Sequence, residues 1–342
     1  MRRAAWLLIA ACGCGGDEDP PPAAAFAGAW SEFLTADEVR GTFGLLAERK
    51  VALHLAWSDE QPELLSLARE AALEGVEVRP WLLLPEADGY WPGATNAAAF
   101  AEASRRLMDV WGEPATLIVD MEMQFDRSMQ LAALLAAEEP DLVAILTLLR
   151  SGIDREGYAA ATGIYAALVD EAHARGWRVL LTTLPQVLDD YEDGDDDIRQ
   201  AFGIPLEGIA WDAITFQAYS TLFGDFLSNT SLGPYFVYDY AARAVQRFDA
   251  RAGVDVGLVS AGVSASSVYE GPIDLQEDLS AALAAGVPST RIHVYALDGI
   301  VARIPSEAWL EPPAATPAPP ADQGTEEVRA TSAALDGALD AP

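Results

Sequence analysis

The sequence predicts an α/β fold, a (β/α)8 TIM barrel, over residues 26–310. Three observations predict it. Eight β-rich runs recur: Phe26–Ser31, Val51–Trp57, Val76–Leu84, Thr116–Met123, Arg178–Leu184, Ala213–Tyr219, Val256–Val263 and Ile292–Leu297. Between them lie Ala/Leu/Arg/Glu stretches with helical spacing. Runs such as VEVRPWLLL and ATLIVDMEM are nearly continuous in apolar residues, as parallel strands covered on both faces must be. Strand–helix alternation repeated at this length is the barrel signature. A doubly wound open sheet is the competing topology. Against it, AWSEFLTADE follows the first strand with neither a GxGxxG nor a Walker pattern.

The helices carry local start and stop signals. Thr35 precedes Ala36–Lys50 with Glu38 three residues on, a capping box. Ser58 is positioned to cap the next helix, which stops at Gly75. Asn96 precedes Ala97–Trp111, and Gly112 follows it. Arg155–Arg175 stops at Gly176. Pro234 opens Tyr235–Ala252, closed by Gly253, and Pro272 opens Ile273–Ala285, closed by Gly286. Two departures from a regular barrel are expected: an extra helix pair at about 127–150 between strands four and five, and a short last helix at Ser306–Leu310.

The termini read differently. Met1-Arg2-Arg3 and the apolar run Ala4–Ala11 form a signal peptide, the run being too short to span a bilayer, which takes about 20 residues. Ile9-Ala10-Ala11-Cys12 resembles the bacterial lipobox, whose cysteine is lipidated and becomes the mature N-terminus. Residues 1–25 are therefore expected to be a lipoprotein signal peptide and flexible tether, with membrane attachment at Cys12. Gly13 after that cysteine, rather than aspartate, favours the outer membrane by resemblance to enterobacterial sorting rules. Cys12 and Cys14 are the only cysteines, so the folded part has no disulfide, thiolate metal site or cysteine nucleophile. Residues 311–342, rich in Pro, Ala and acids, read as a disordered tail.

Charge narrows the partners. With 53 acidic and 21 basic side chains the net charge is −32, which repels a phosphate backbone and argues against nucleic acid.

Catalytic residues in such barrels sit at the C-terminal strand ends. Strand four ends Leu117-Ile118-Val119-Asp120-Met121-Glu122. Strand residues two apart share a side, so Asp120 and Glu122 both face the barrel mouth, Cα atoms about 6.6 Å apart. Two carboxylates so close cannot both ionise freely, and one acquires the raised pKa of a general acid. The competing reading is a solvated strand end, or a pair tied to Arg79. On strand six, Thr215, Gln217 and Tyr219 share the inward parity, bringing an amide and a phenol near the carboxylates. Asp212 starts that strand and belongs to the opposite face. Glu32, Glu86 and Asp298, at the ends of strands one, three and eight, are candidates for a further carboxylate. Tyr295 stands on strand eight. The loop PEADGYWPGATN carries Tyr90 and Trp91, which with Trp81 and Trp57 offer flat faces for sugar rings.

No cofactor is expected. The chain has three histidines, and His54 and His293 lack HxH or HExxH spacing, so they read as interior residues rather than a metal centre. His173 falls on the long helix. The acidic loop DDYEDGDDDIRQ breaks the EF-hand pattern at Tyr191, leaving a looser structural Ca²⁺ site at Asp189–Asp197 as the alternative to a solvated loop. SAGVSASS on strand seven has no base beside it in sequence.

The Asp-x-Glu end of strand four, with an inward Tyr on strand six, resembles the barrels of glycoside hydrolases acting on N-acetylated sugars. Chitinase-like family 18 ends this strand DxxDxDxE; the matching positions here are Ala115, Ile118, Asp120 and Glu122, so only Asp-x-Glu is kept. The family's strand-six Met-x-Tyr-Asp corresponds to Gln217-Ala218-Tyr219-Ser220, and its last-strand tryptophan is replaced by Tyr295-Ala296-Leu297-Asp298. Family 25 lysozymes also carry Asp-x-Glu on strand four. The resemblance implies that Glu122 protonates the glycosidic oxygen, that Asp120 orients a substrate acetamido nucleophile, and that Tyr219 hydrogen-bonds it. Without an N-acetyl group, a second carboxylate must serve. Gln217, Trp91, Tyr90, Trp81, Tyr295, Glu32 and Asp298 would line the substrate.

The expected function is thus a lipid-anchored, extracytoplasmic glycoside hydrolase-like protein acting on a polysaccharide, such as an N-acetylated amino-sugar polymer. The alternative from another class is a catalytically inactive surface barrel that binds glycan or a protein partner. A third reading, a metal-dependent hydrolase, would use His54 and His293.

Overall fold

The computed structural model describes residues 24–58, 63–135, 137, 141–227, 232–261, 267–303, 305–313 and 318–339. Cys12, Cys14 and the expected leader lie outside the described residues, as do 262–266 of the SAGVSASS segment. The predicted strands are buried on both faces, which is why they exclude water and pair side by side. Among the described residues eight parallel strands close in sequence order: β1 (Gly28–Ser31), β2 (Ala52–Trp57), β3 (Val78–Leu82), β4 (Thr116–Met121), β5 (Arg178–Thr183), β6 (Ala213–Gln217), β7 (Ala252–Gly257) and β8 (Ile292–Tyr295). β8 pairs back onto β1 through Gly28↔His293, so the sheet has no free edge. The fold class expected from the sequence is therefore observed.

Helices α1 (Ala36–Arg49), α2 (Glu63–Leu73) and α3 (Ala97–Trp111) follow the first three strands. The capping box on α1 forms as its spacing requires: Thr35 Oγ1 accepts from Glu38 N–H at 3.3 Å, and Glu38 accepts from Thr35 N–H at 2.8 Å. The expected insertion after β4 is a helix pair, α4 (Phe125–Leu135) and α5 (Leu142–Arg150), leading into α6 (Arg155–Ala174). After β5 come two short helices, α7 (Asp190–Asp193) and α8 (Asp197–Phe202). Then α9 (Ser220–Leu227) and α10 (Gly233–Phe248) follow β6, α11 (Pro272–Ala284) follows β7, and α12 (Leu297–Ala302) follows β8.

Three expectations are corrected. The seventh strand begins at Ala252, not Val256, because α10 ends at Phe248 and Gly253 lies within the strand rather than closing the helix. A Cβ on Gly253 would come within 2.5 Å of Arg291 O, so the residue that looks like a helix stop is a close-approach strand glycine. Trp57 faces the helices, where it packs edge-on against Trp111 at 5.7 Å, and so cannot stack on anything in the mouth.

The third correction concerns the C-terminus. Residues 325–339, within the segment expected to be disordered, form helix α13 (Thr325–Leu339). Val328, Ser332, Leu335 and Leu339 recur at helical spacing. Val328, Ser332 and Leu339 are buried. Arg329 donates to Glu192 at 2.8 Å, Ser332 to Asp189 at 2.6 Å, and Arg150 to Ala338 O at 2.6 Å. An amphipathic stripe with three polar anchors is what the acidic, Ala-rich composition concealed. A second apolar cluster forms where α4, α5, α8 and α13 meet, centred on Ile145, Leu149, Ala201 and Leu339. Among the described residues no helix is long and apolar enough to cross a membrane.

Candidate active site

Parity along the strands decides which side chains enter the barrel. The interior is polar, unlike the branched aliphatic filling usual for this fold. At its centre Asp255 of β7 accepts hydrogen bonds from Thr182 at 2.5 Å, Thr215 at 2.7 Å and His293 Nδ1 at 2.8 Å. These three donors compensate a carboxylate with no solvent exposure. His54 lies with its ring 4.5 Å from that of His293 and 4.7 Å from that of Trp30. A Cβ on Gly28 would stand 2.3 Å from His54 Nε2, so only glycine leaves room for that ring.

Above this plug lie the predicted acids. Asp120 is buried on β4, and Glu122, the first residue beyond Met121, is partly so. Gln217, the last residue of β6, donates from Nε2 to both: 2.9 Å to Asp120 Oδ1 and 2.7 Å to Glu122 Oε1. Burial raises the Glu122 pKa to about 7; the Gln217 hydrogen bond opposes this and the charge of Glu32 adds to it. Burial and then the charge of Glu122 hold Asp120 well above the ordinary carboxylate range. Both carboxyls are thus held above the ordinary carboxylate range, and the two titrate as a pair.

Glu32, just beyond β1, is the third carboxylate of the mouth. It accepts from Tyr90 at 2.6 Å and from Tyr295 at 2.5 Å. Burial raises its pKa, against the pull of those two phenols. Tyr219 packs its ring 5.8 Å from that of Tyr295, and burial, reinforced by Asp255 and Asp120, keeps its phenol protonated. The Tyr90–Trp91 loop is pinned by Asn96. That residue makes no cap bond to α3; its amide nitrogen donates to Asp88 O and Trp91 O at 2.9 Å each, and its oxygen accepts from Gly93 N–H at 2.8 Å. Glu122 N–H donates to Pro92 O at 3.3 Å, stitching this loop to the end of β4.

A cavity of about 200 Å³ joins most of these groups. Its wall includes Trp30, Glu32, Trp81, Trp91, Asp120 and Glu122. Gln217, Tyr219 and Tyr295 complete the strand ends that face it. It continues outward along the apolar cluster of α4, α5, α8 and α13.

Two predicted carboxylates do not join the site. Glu86 is exposed on a 3₁₀ turn after β3. Asp298 spends one oxygen on Phe33 N–H at 2.9 Å and so braces the loop that carries Glu32, rather than lining the cavity. Arg79 does not tie the acid pair; it is ion-paired with Glu77 at 2.9 Å and lies 3.3 Å from His54 Nε2. Burial lowers the pKa of both interior histidines, which keeps their rings neutral. His173 pairs with Asp212 at 2.8 Å, on the opposite rim as expected for the start of β6.

In the acidic loop, Asp189 is engaged by Tyr240, Arg243 and Ser332. Asp190 pairs with Arg199 at 2.7 Å. Among the described residues one carboxylate group converges closely enough to share a cation: Asp190, Asp195 and Asp336, ligand oxygens within 4.8 Å. Asp336 comes from α13, so the set spans a helix that the sequence reading left out.

Sequence reasoning missed Asp255, which fell one residue before the expected seventh strand, and the apolar helical extension of the cavity. Counting the 3.6-residue stripe at Val328–Leu339 would have found part of the latter.

No protein-family model matches the chain, and no curated protein matches it in sequence. Solved structures resemble it only distantly. D-allulose 3-epimerase from Methylomonas sp. is 11% identical, TM-score 0.44, over 93% of this chain and 99% of that one. A protein named chitinase A from Streptomyces coelicolor is 11% identical, TM-score 0.45, over 91% and 99%. The GH26 domain of an endo-beta-mannanase/endo-beta-glucanase from Prevotella bryantii is 12% identical, TM-score 0.43, over 84% and 88%. At these values none of them bears on the chemistry, which rests on the site itself.

Proposed function

We propose that the chain is a lipid-anchored, extracytoplasmic glycosidase that uses Glu122 as its general acid. The observation that carries this reading is the Gln217 amide bridging Asp120 and Glu122 at the mouth, with the Glu122 pKa at about 7. A group titrating there is protonated often enough to act as an acid and ionises readily once it has done so.

In the reaction, protonated Glu122 gives its proton to the glycosidic oxygen as the C1–O bond breaks. Water then supplies hydroxide to the anomeric carbon and returns a proton to the site. The Gln217 amide stabilises the Glu122 carboxylate as it forms. For an N-acetylated sugar, Asp120 and Tyr219 hold the acetamido group that attacks C1. For a sugar without one, Glu32, oriented by Tyr90 and Tyr295, is the carboxylate left to stabilise the cationic centre or activate water. Trp81 and Trp91 supply the flat walls. Cys12, outside the described residues, is the proposed attachment to the outer membrane.

The test is hydrolysis of peptidoglycan, chitin oligosaccharides and neutral β-glucans by the full chain, with Glu122→Gln as control. Reducing ends released by wild type and not by the variant support the reading. No turnover with equal glycan binding by both proteins would replace it with a non-catalytic glycan-binding barrel.

A further inference from the structure

The cavity has two chemically unlike parts. At the strand ends it presents carboxylates, an amide and phenols. Beyond them its wall is built from Leu131 and Leu135 of α4, Leu149 of α5, Phe202 of α8, and Leu335 and Leu339 of α13. The five leucines belong to one apolar cluster apart from the barrel core, and Phe202 packs against both. Of the polar side chains in that wall, Ser332 donates to Asp189 at 2.6 Å and Thr331 to Glu327 O at 2.9 Å, which leaves Ser128 and Gln186 among six apolar neighbours. A neighbouring sugar unit placed there would lose water from its hydroxyls and gain few partners. A hydrocarbon chain would lose nothing and bury its surface.

We infer that the substrate is an amphiphile: a hydroxylated head held by Glu122, Asp120 and Glu32, and an aliphatic tail lodged between α4, α5 and α13. This rests on reading the mouth as a glycoside site and goes beyond it by naming what is attached to the sugar. The same helix pair turns Met129, Leu142 and Val143 to the outside, at 38%, 60% and 75% exposure. Apolar side chains there suit a substrate arriving from a lipid layer. Because α13 supplies Leu335 and Leu339, the C-terminal helix is part of the tail site rather than an appendage.

The experiment is calorimetric titration of the full chain with methyl, butyl, hexyl and octyl β-D-glucosides and the matching N-acetyl-β-D-glucosaminides, below their micelle concentrations. Affinity should rise with chain length, by up to about fourfold per methylene buried. Leu131→Gln and Leu335→Gln, both at half-buried positions, should flatten that rise while leaving the methyl glycosides unchanged. Circular dichroism of each variant establishes that it is folded, and either one suffices. Equal affinity for methyl and octyl compounds, an unchanged rise in both folded variants, or no binding by any member would overturn the inference. Hydrolysis independent of chain length would overturn it and leave the glycosidase reading standing. Chain-length-dependent binding with no hydrolysis of these glycosides or of the polymers named above would leave the tail site standing and remove the glycosidase reading.

Discussion

Gln217 and Glu122, 95 residues apart in sequence, meet at 2.7 Å across the barrel mouth. The donor is an amide, which cannot ionise, so it orients the acid without fixing its protonation state. The hydrogen bond favours the charged form and lowers the Glu122 pKa. Gln217→Leu should therefore move the alkaline limb of activity upward by about one pH unit or more, since a bond to a charged group is worth roughly 1.5–3 kcal/mol. A pH–rate profile of the variant checks this. An unshifted limb would mean that Gln217 does not act on the titrating group.

Stability should fall as pH rises, contrary to common acid denaturation. Glu32, Asp120, Glu122, Asp189, Asp190 and Asp278 all have raised pKa values, chiefly by burial. Asp189 and Asp190 lie at about 6, and Glu122 and Asp278 at about 7. A carboxyl raised on folding holds more protons in the native than in the unfolded state between its two pKa values. Its stabilisation is complete below the unfolded value and is lost as pH climbs through the folded one. The Tm at pH 5 should accordingly exceed that at pH 8 by several degrees. A Tm that is flat or higher at pH 8 would contradict this.

Removing the acceptor at the barrel centre should be costly. Asp255→Ala leaves Thr182, Thr215 and His293 Nδ1 without their shared partner in a region closed to water. The expected loss is about 3 kcal/mol or more, by analogy with other buried pairs stripped of one member. Chemical denaturation measures it. Thr215→Val, which leaves two of the three donors, should cost about 1 kcal/mol.

Deleting residues 319–342 should expose the apolar cluster without opening the barrel. Val328 and Leu339 are buried, and each such side chain contributes about 1.5–3 kcal/mol. The truncated chain should lose several kcal/mol of stability and bind an apolar fluorescent dye, while its far-ultraviolet spectrum retains the strand and helix signature. Wild-type stability in the truncated chain would mean that α13 contributes nothing to the fold.

What the sequence revealed and what it hid follow from the range of the interactions. β4 was legible because Leu117, Val119 and Met121 face the helices while Asp120 breaks the apolar run on the opposite parity. Trp57 was misplaced because an aromatic at a strand end has no local mark of which side it takes. Asp255 was missed because Gly253 and Asp255 resemble a turn until Thr182, Thr215 and His293 are brought around them. Nothing near Glu32 announces Tyr90 and Tyr295, which arrive from the loop after β3 and from β8. The tail site draws on four helices between residues 125 and 339, and only the closed fold assembles it.

The most direct measurement of the role assigned to Glu122 compares Glu122→Gln on two leaving groups. One substrate carries an alkoxide-type leaving group that requires protonation, the other a dinitrophenolate that does not. If Glu122 is the general acid, the variant should lose about 10²–10⁴-fold on the first and little on the second. Equal loss on both substrates, or no loss on either, would contradict it.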